Sequence, residues 1–255
     1  MFNLILKILN FRLSEYYINH KFIMKRHSII FTFLFLFITS LVFSQKNDSI
    51  LFNPKIQYGQ VSDKEGNVYK TLVLDNKTWM AENLRVTKYK NGESIETTET
   101  KKDISKLTEP KYFWAYNGND SLSKIYGNLY TWFVVQDPRG LCPDGFHVPS
   151  DLEWISLINA LDGNFEAGSK LKEVDFNHWM KPNSNATNES GFTALPGGYR
   201  ENDGNFYVLG FRGYWWSSKK NYVYIAWNSS LIYNNDILDR LDFIKKNALS
   251  VRCVK

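Results

Sequence analysis

The stretch GLCPDGFHVPSDLEW, Gly140 to Trp154, sets a cysteine and a histidine five residues apart. Such a pair is raw material for thiol catalysis, in which a base keeps the sulfur as a thiolate, or for half of a zinc site. Neither chemistry fits well. Thiol catalysis needs a free cysteine, and Cys142 has an evident oxidised partner in Cys253. A closed zinc site needs four ligands, whereas residues 45–255 offer His147, His178 and those two cysteines. Pro143-Asp144-Gly145 spells a turn, so His147 is expected to pack or hydrogen-bond where the chain enters a helix.

Other chemistry-bearing residues divide the same way. Ser150 is followed three positions later by Glu153, which is the pattern of a capping box, so the serine reads as a helix cap and not as a nucleophile. That cap uses Glu153, the first helical turn uses Asp151, and no acidic pair takes general acid and base roles. Two oxygen-rich turns, Glu201-Asn202-Asp203-Gly204-Asn205 and Asn234-Asn235-Asp236, carry the donors calcium prefers. Neither has the spacing of a full calcium loop, and ordinary turn chemistry explains both. Calcium is the one cofactor the sequence brings into consideration. Trp215 and Trp216 are the candidate ligand-binding residues. In a strand they face opposite ways, so one ring either stacks on a sugar or caps a second small core. Large rings filling an irregular core is the simpler account.

The elements that must hold these residues are short. Val68 to Leu74, a turn at Asp75-Asn76 and Thr78-Trp79-Met80 read as a hairpin. Within residues 123–136 a short helix packing through Leu129, Trp132 and Phe133 fits the spacing, with a strand as the alternative. The capping box predicts a helix over 151–161, with Leu152, Ile155, Ile158 and Leu161 along one face and Gly163 as its stop. Beyond it lie turns and short strands, among them Tyr222 to Trp227 and a terminal strand Ser250 to Val254.

Composition bounds the compartment and the partners. Met24-Lys25-Arg26-His27 runs into an apolar stretch, Ile29 to Phe43, and Ser44 precedes a polar segment. That is the grammar of a signal peptide, with Met24 as the expected true start and cleavage after Ser44. The apolar run is shorter than the roughly 20 residues that span a bilayer, so no transmembrane span is expected after its removal. Expected organisation is a signal region over 1–44, a loosely ordered lead-in over 45–64 and one domain over 65–255. The chain carries 31 Lys and Arg against 26 Asp and Glu; residues 1–44 hold five of the former and one of the latter, leaving 26 and 25. No broad basic field remains for a phosphate backbone, which argues against nucleic-acid binding. Two cysteines in an exported chain favour a disulfide between Cys142 and Cys253.

Several motifs carry a resemblance. DNKTWMAENL (75–84), YGNLYTW (126–132), GLCPDGFHVPSDLEW (140–154), SGFTALPGGYREND (190–203), GYWWSS (213–218) and SVRCVK (250–255) resemble, in order, the Fibrobacter succinogenes major paralogous domain family. The resemblance implies an exported protein of the Bacteroidetes and Fibrobacteres type, at the cell surface, in the periplasm or secreted. The family is itself similar, at a distance, to the formylglycine-generating-enzyme and C-type-lectin-like folds. It therefore implies an irregular α+β domain with short strands, few short helices and long loops, and Cys142 and Cys253 as a structural pair. The oxidising enzymes of that wider group use a late cysteine pair for copper and oxygen chemistry, and this chain has no cysteines to spare for it. The expectation is a non-catalytic surface or periplasmic domain that binds carbohydrate or a cell-envelope protein. A polymer-modifying enzyme and a purely structural envelope module are the rivals.

Overall fold

Asp75 and Asn76 both take left-handed backbone angles, φ 51° and 56°. Two such residues in succession make the two-residue turn whose twist matches a hairpin. That turn joins β2 (Val68–Leu74) to β3 (Lys77–Met80). A computed structural model describes residue 50 and residues 52–255 of the chain; the expected signal region lies outside them. Among the described residues no helix is long and apolar enough to cross a membrane.

The lead-in expected to be loose is built into the fold. β1 (Gly59–Ser62) pairs antiparallel with β2 and completes a three-stranded sheet. Just before it, the Tyr58 hydroxyl donates to the Gly191 carbonyl at 2.8 Å. A second sheet has the order β4 (Phe113–Trp114), β5 (Leu129–Thr131), β11 (Ala248–Leu249), β6 (Tyr199–Arg200) and β7 (Phe206–Tyr207). The third is a meander of long strands, β8 (Arg212–Lys220), β9 (Ile225–Ile232) and β10 (Asp239–Ile244). Helices are few and short: α1 (Asp120–Tyr126), α2 (Trp132–Val135), α3 (Asp151–Ala160) and α4 (Asn164–Leu171). The result is the expected mixed α+β architecture.

Helix α3 starts at the predicted cap. Ser150 Oγ accepts from the Glu153 amide at 3.3 Å, and Glu153 Oε2 accepts from the Ser150 amide at 2.8 Å. Its buried face differs from the expected stripe. Trp154, Leu157, Ile158 and Leu161 face inward, while Leu152 is 69% exposed. Asp151 explains the rotation: both its oxygens accept from Arg240 of β10, at 2.9 and 2.7 Å, which turns the neighbouring leucine outward. Trp154 then joins an aromatic cluster with Trp79, Phe192 and Trp215, ring centroids 5.1 to 6.4 Å apart. Rings of this size contribute several kcal/mol of burial each, on the order of 25 cal/mol per Å². The segment 123–136, read as a short helix or a strand, contains both: it divides at Gly127 into α1 and the β5–α2 unit. Gly127, at φ +76°, has no room for a Cβ against Asn83 and Leu84.

Strand β8 lies between two cores. Tyr214 and Trp216 belong to a cluster with Tyr130, Trp132, Cys142 and Cys253. Trp215 points the other way, into the cluster of Trp79, Trp154 and Phe192. Gly213 makes this possible, because a Cβ there would sit 2.5 Å from the folded-back Trp215 ring.

Candidate functional site

The sequence candidates take up structural posts. Cys142 and Cys253 are joined, with a Cα–Cα distance of 5.9 Å, and both are buried. His147 Nε2 lies 2.9 Å from Glu153 Oε1, beside the helix cap, and its backbone pairs with Val254. Trp215 and Trp216 are 1% and 0% exposed, so both rings fill core, the simpler of the two accounts, and neither offers a face for stacking. The alternation argument holds, but each face of β8 carries its own core. Their indole N–H groups are consumed too, by Asn83 Oδ1 at 2.8 Å and the Tyr130 carbonyl at 2.7 Å.

The calcium-competent turns are likewise occupied from within. Lys172 Nζ donates to the Asn235 and Ser184 carbonyls, each at 2.8 Å, and lies 3.9 Å from Asp236 Oδ1. A buried ammonium thus holds the oxygens that a hard cation would need at Asn234 to Asp236. In the other turn both Asp203 oxygens accept from Asn205 at 2.8 Å, closing the β6–β7 hairpin. Among the described residues no three His, Cys, Asp or Glu side chains group so as to hold a metal ion.

A site does form at the β8–β9 turn. Register shifts between Trp216 and Lys220, and a bulge of this kind bends the hairpin end. Strand β9 begins only at Ile225, so Tyr222, Val223 and Tyr224, expected within it, stand at the tip. They are 69%, 75% and 77% exposed. Beneath them Lys245 is buried, its Nζ donating to the Tyr222 and Val223 carbonyls at 2.8 and 2.9 Å. The same ammonium lies 4.5 Å from the centre of the Trp132 ring. Each charge-assisted bond is worth about 1.5–3 kcal/mol, and together they hold three apolar side chains out in water.

Between this tip, α2 and residues 109–111 runs a groove of about 890 Å³. Lys111, Lys219, Lys220 and Lys245 line it, with Glu109 as the carboxylate among its lining residues and Phe133 and Tyr222 as ring surfaces. Gln136 braces the wall by donating to the Ser218 carbonyl at 2.6 Å, and the Trp132 indole donates to Ser217 at 3.0 Å. Lys219 and Lys220 are exposed and make no ion pair among the described residues. Lys111 is anchored by Asp137 at 2.8 Å. The Arg139 guanidinium, with Lys111 beside it, holds the Asp137 carboxyl well below the usual carboxylate range. Burial, reinforced by Lys220, pushes the Lys245 pKa down. The groove is therefore a cationic channel with aromatic edges.

Residues 74–255 match the model of the Fibrobacter succinogenes major domain family. The chain belongs to this family. The match begins at the end of β2 and takes in the bridge, the helix cap and the whole groove. No curated protein and no solved structure matches the chain. Within this major domain the bridge and the two tryptophans belong to the scaffold, and the exposed lysines and rings are elsewhere. Sequence reasoning passed over the latter, although Lys219-Lys220-Asn221-Tyr222-Val223-Tyr224 joins a lysine doublet to exposed rings. A lysine doublet followed within four residues by two tyrosines was the available signal.

Proposed function

We propose that this major domain is an exported, non-catalytic binding module that holds an acidic polysaccharide in the groove at the hairpin tip. The observation that carries the reading is the pairing of two exposed lysines without ion pairs among the described residues, Lys219 and Lys220, with the exposed Tyr222 ring on one channel, while Lys111 and Lys245 hold its walls. Ammonium groups pair with carboxylate or sulfate, and ring faces cover the apolar face of a sugar. Main-chain groups at the tip are already used by Lys245, so a peptide strand gains no ladder of hydrogen bonds there. Glycoside hydrolysis uses two carboxylates, and the groove lining presents Glu109 alone. The buried disulfide supports export to an oxidising compartment, periplasm or cell surface. A lectin-like topology is supported by the way residues 254–255 pair with the β2–β3 hairpin, Thr78 and Lys255 exchanging backbone bonds at 2.8 and 2.9 Å.

The test is binding of the oxidised protein to polyuronate, sulfated glycan and neutral glucan at two salt concentrations, with and without calcium. Saturable, salt-weakened, calcium-independent binding to the acidic polymers is expected. The Lys219→Ala/Lys220→Ala double variant should lose it about 10-fold or more, as two ammonium contacts near 1 kcal/mol each imply. Equal binding to neutral glucan, or unchanged binding by the double variant, sinks the reading.

A further inference from the structure

The β8–β9 tip is more apolar than a sugar site needs. Val223 and Tyr224, 75% and 77% exposed, are the most exposed large apolar side chains among the described residues. Tyr224 lies outside the lining of the groove. The carbonyls at the tip are spent inside the protein. Lys245 donates from Nζ to Tyr222 and Val223 at 2.8 and 2.9 Å, and from its backbone amide to Tyr224 at 3.0 Å. The Tyr222 amide in turn donates to the Ile225 carbonyl at 3.1 Å. A sugar hydroxyl therefore meets acceptors that are already taken. A nonpolar layer meets a tip suited to it, because unsatisfied backbone groups are what bar irregular chain from lipid.

The lysines stand at a matching height. Lys220 and Ala226 form the last register pair before the turn, so at about 3.3 Å per residue Val223 projects at most ~10 Å beyond Lys220. That is the roughly 5–10 Å over which interfacial segments sink past the head groups. Lys219 and Lys220 are exposed and free of ion pairs among the described residues. No acidic residue occurs from Arg212 to Asn235. Of the carboxylates on neighbouring segments, Asp242 of β10 accepts from Asn221 and Glu109 is set in the groove lining.

We propose that the acidic saccharide held in the groove is the head group of a glycolipid, and that Val223 and Tyr224 dip into the acyl layer beside it. This rests on the acidic-polysaccharide reading and adds the surface on which the saccharide is presented. Tyr222, whose ring lines the groove, stays with the sugar. Tyr224 takes the interfacial position that amphipathic rings favour, and Lys219 and Lys220 pair with anionic groups at head-group level.

The experiment measures binding of the oxidised protein to phosphatidylcholine vesicles carrying ganglioside, whose acidic oligosaccharide is borne on ceramide. The same oligosaccharide coupled to dextran at equal density controls for multivalency, and vesicles carrying phosphatidylglycerol control for bare negative charge. Expected is about 10-fold tighter binding to ganglioside vesicles than to the dextran conjugate, as burial of one valine-sized side chain implies. Tyr224→Ser, at an exposed position outside the groove, should remove most of that advantage and leave dextran binding unchanged. In Tyr224→Trp, bromines on the acyl chains should quench the added indole beyond the parent's signal. Vesicle binding that Tyr224→Ser leaves unchanged, or an added indole that is not quenched, overturns the lipid contact while the groove reading stands. Equal binding to phosphatidylglycerol vesicles overturns the glycolipid as ligand. No binding of acidic saccharide on either dextran or vesicle overturns both readings.

Discussion

Reducing the Cys142–Cys253 bridge should cost this domain about 5 kcal/mol. The bridge joins residues 111 apart in sequence. On the chain-entropy account a loop of that length removes roughly 16 cal/mol/K from the unfolded ensemble, or about 4.8 kcal/mol at 25 °C. For a domain near this size, that corresponds to a fall in melting temperature of ~10–20 °C. Reduction is the clean perturbation, because both sulfur atoms stay in a buried site and only the covalent link is lost. The folded state should survive. Met80 donates to the Cys253 carbonyl at 3.0 Å, and His147 and Val254 exchange backbone bonds at 2.8 and 2.9 Å, so the tail keeps its place without the sulfur link. The assay is urea unfolding with and without reductant, after refolding in each condition, and a larger urea dependence is expected for the reduced chain. A loss under about 2 kcal/mol would refute the reasoning, since the unfolded chain would then be as restricted without the link. Failure to fold cooperatively when reduced would refute its other half, that backbone pairing suffices to hold the tail.

Asp137, held well below the usual carboxylate range by Arg139 and Lys111, contributes stability that is present above about pH 4 and lost as pH falls further. Acid titration of unfolding should show the parent's advantage over Asp137→Asn shrinking below that pH. Lys172→Met leaves Asp236 and two part-buried carbonyls without their ammonium and should cost about 3 kcal/mol, measured by urea unfolding. Millimolar calcium should leave the parent's melting temperature unchanged, because Lys172 already holds those oxygens. Arg252, fully buried, donates to Asn83 Oδ1 at 2.9 and 3.1 Å and to the Phe192 carbonyl; Arg252→Lys should lose about 2–4 kcal/mol by thermal unfolding, since an ammonium cannot reproduce the planar fork.

What was legible in the sequence was local. Asp75-Asn76 dictates its hairpin because two adjacent left-handed residues suit one turn type, and Ser150 with Glu153 dictates its helix start because cap and carboxylate lie within one turn. The helix face was misread for a tertiary reason: Arg240, nearly ninety positions away, holds Asp151 and sets the rotation. Trp215 and Trp216 were read correctly as opposite-facing. A single sequence does not reveal that a strand has a core on both sides, since an edge or surface strand shows the same alternation. The groove was the least legible part. Its lysines come from residues 111, 219–220 and 245, and they meet only because β10 returns antiparallel to β9 and delivers Lys245 beneath the tip.

That delivery links scaffold to site. After Lys245 the chain continues through β11, whose Leu249 and Ala248 pair with Tyr130 and Thr131, directly ahead of the α2 wall of the groove. Ser250 then accepts from the Trp216 amide at 3.1 Å, and Val251 accepts from Leu84 at 2.8 Å. The Arg252 side chain reaches Asn83, which also receives the Trp215 indole N–H. Residues 245–255 therefore fix both walls, α2 through β11 and β8 through the tail. A groove whose walls are pinned by one continuous segment does not need a flexible loop to close on its ligand. A fixed backbone spares the cost of ordering a loop, although each exposed side chain that a ligand immobilises would still lose about 0.5–1.5 kcal/mol of rotamer freedom; the cost of holding Tyr222, Val223 and Tyr224 in water is met in folding. The bridge, the buried arginine and the paired tail thus serve the site without touching it.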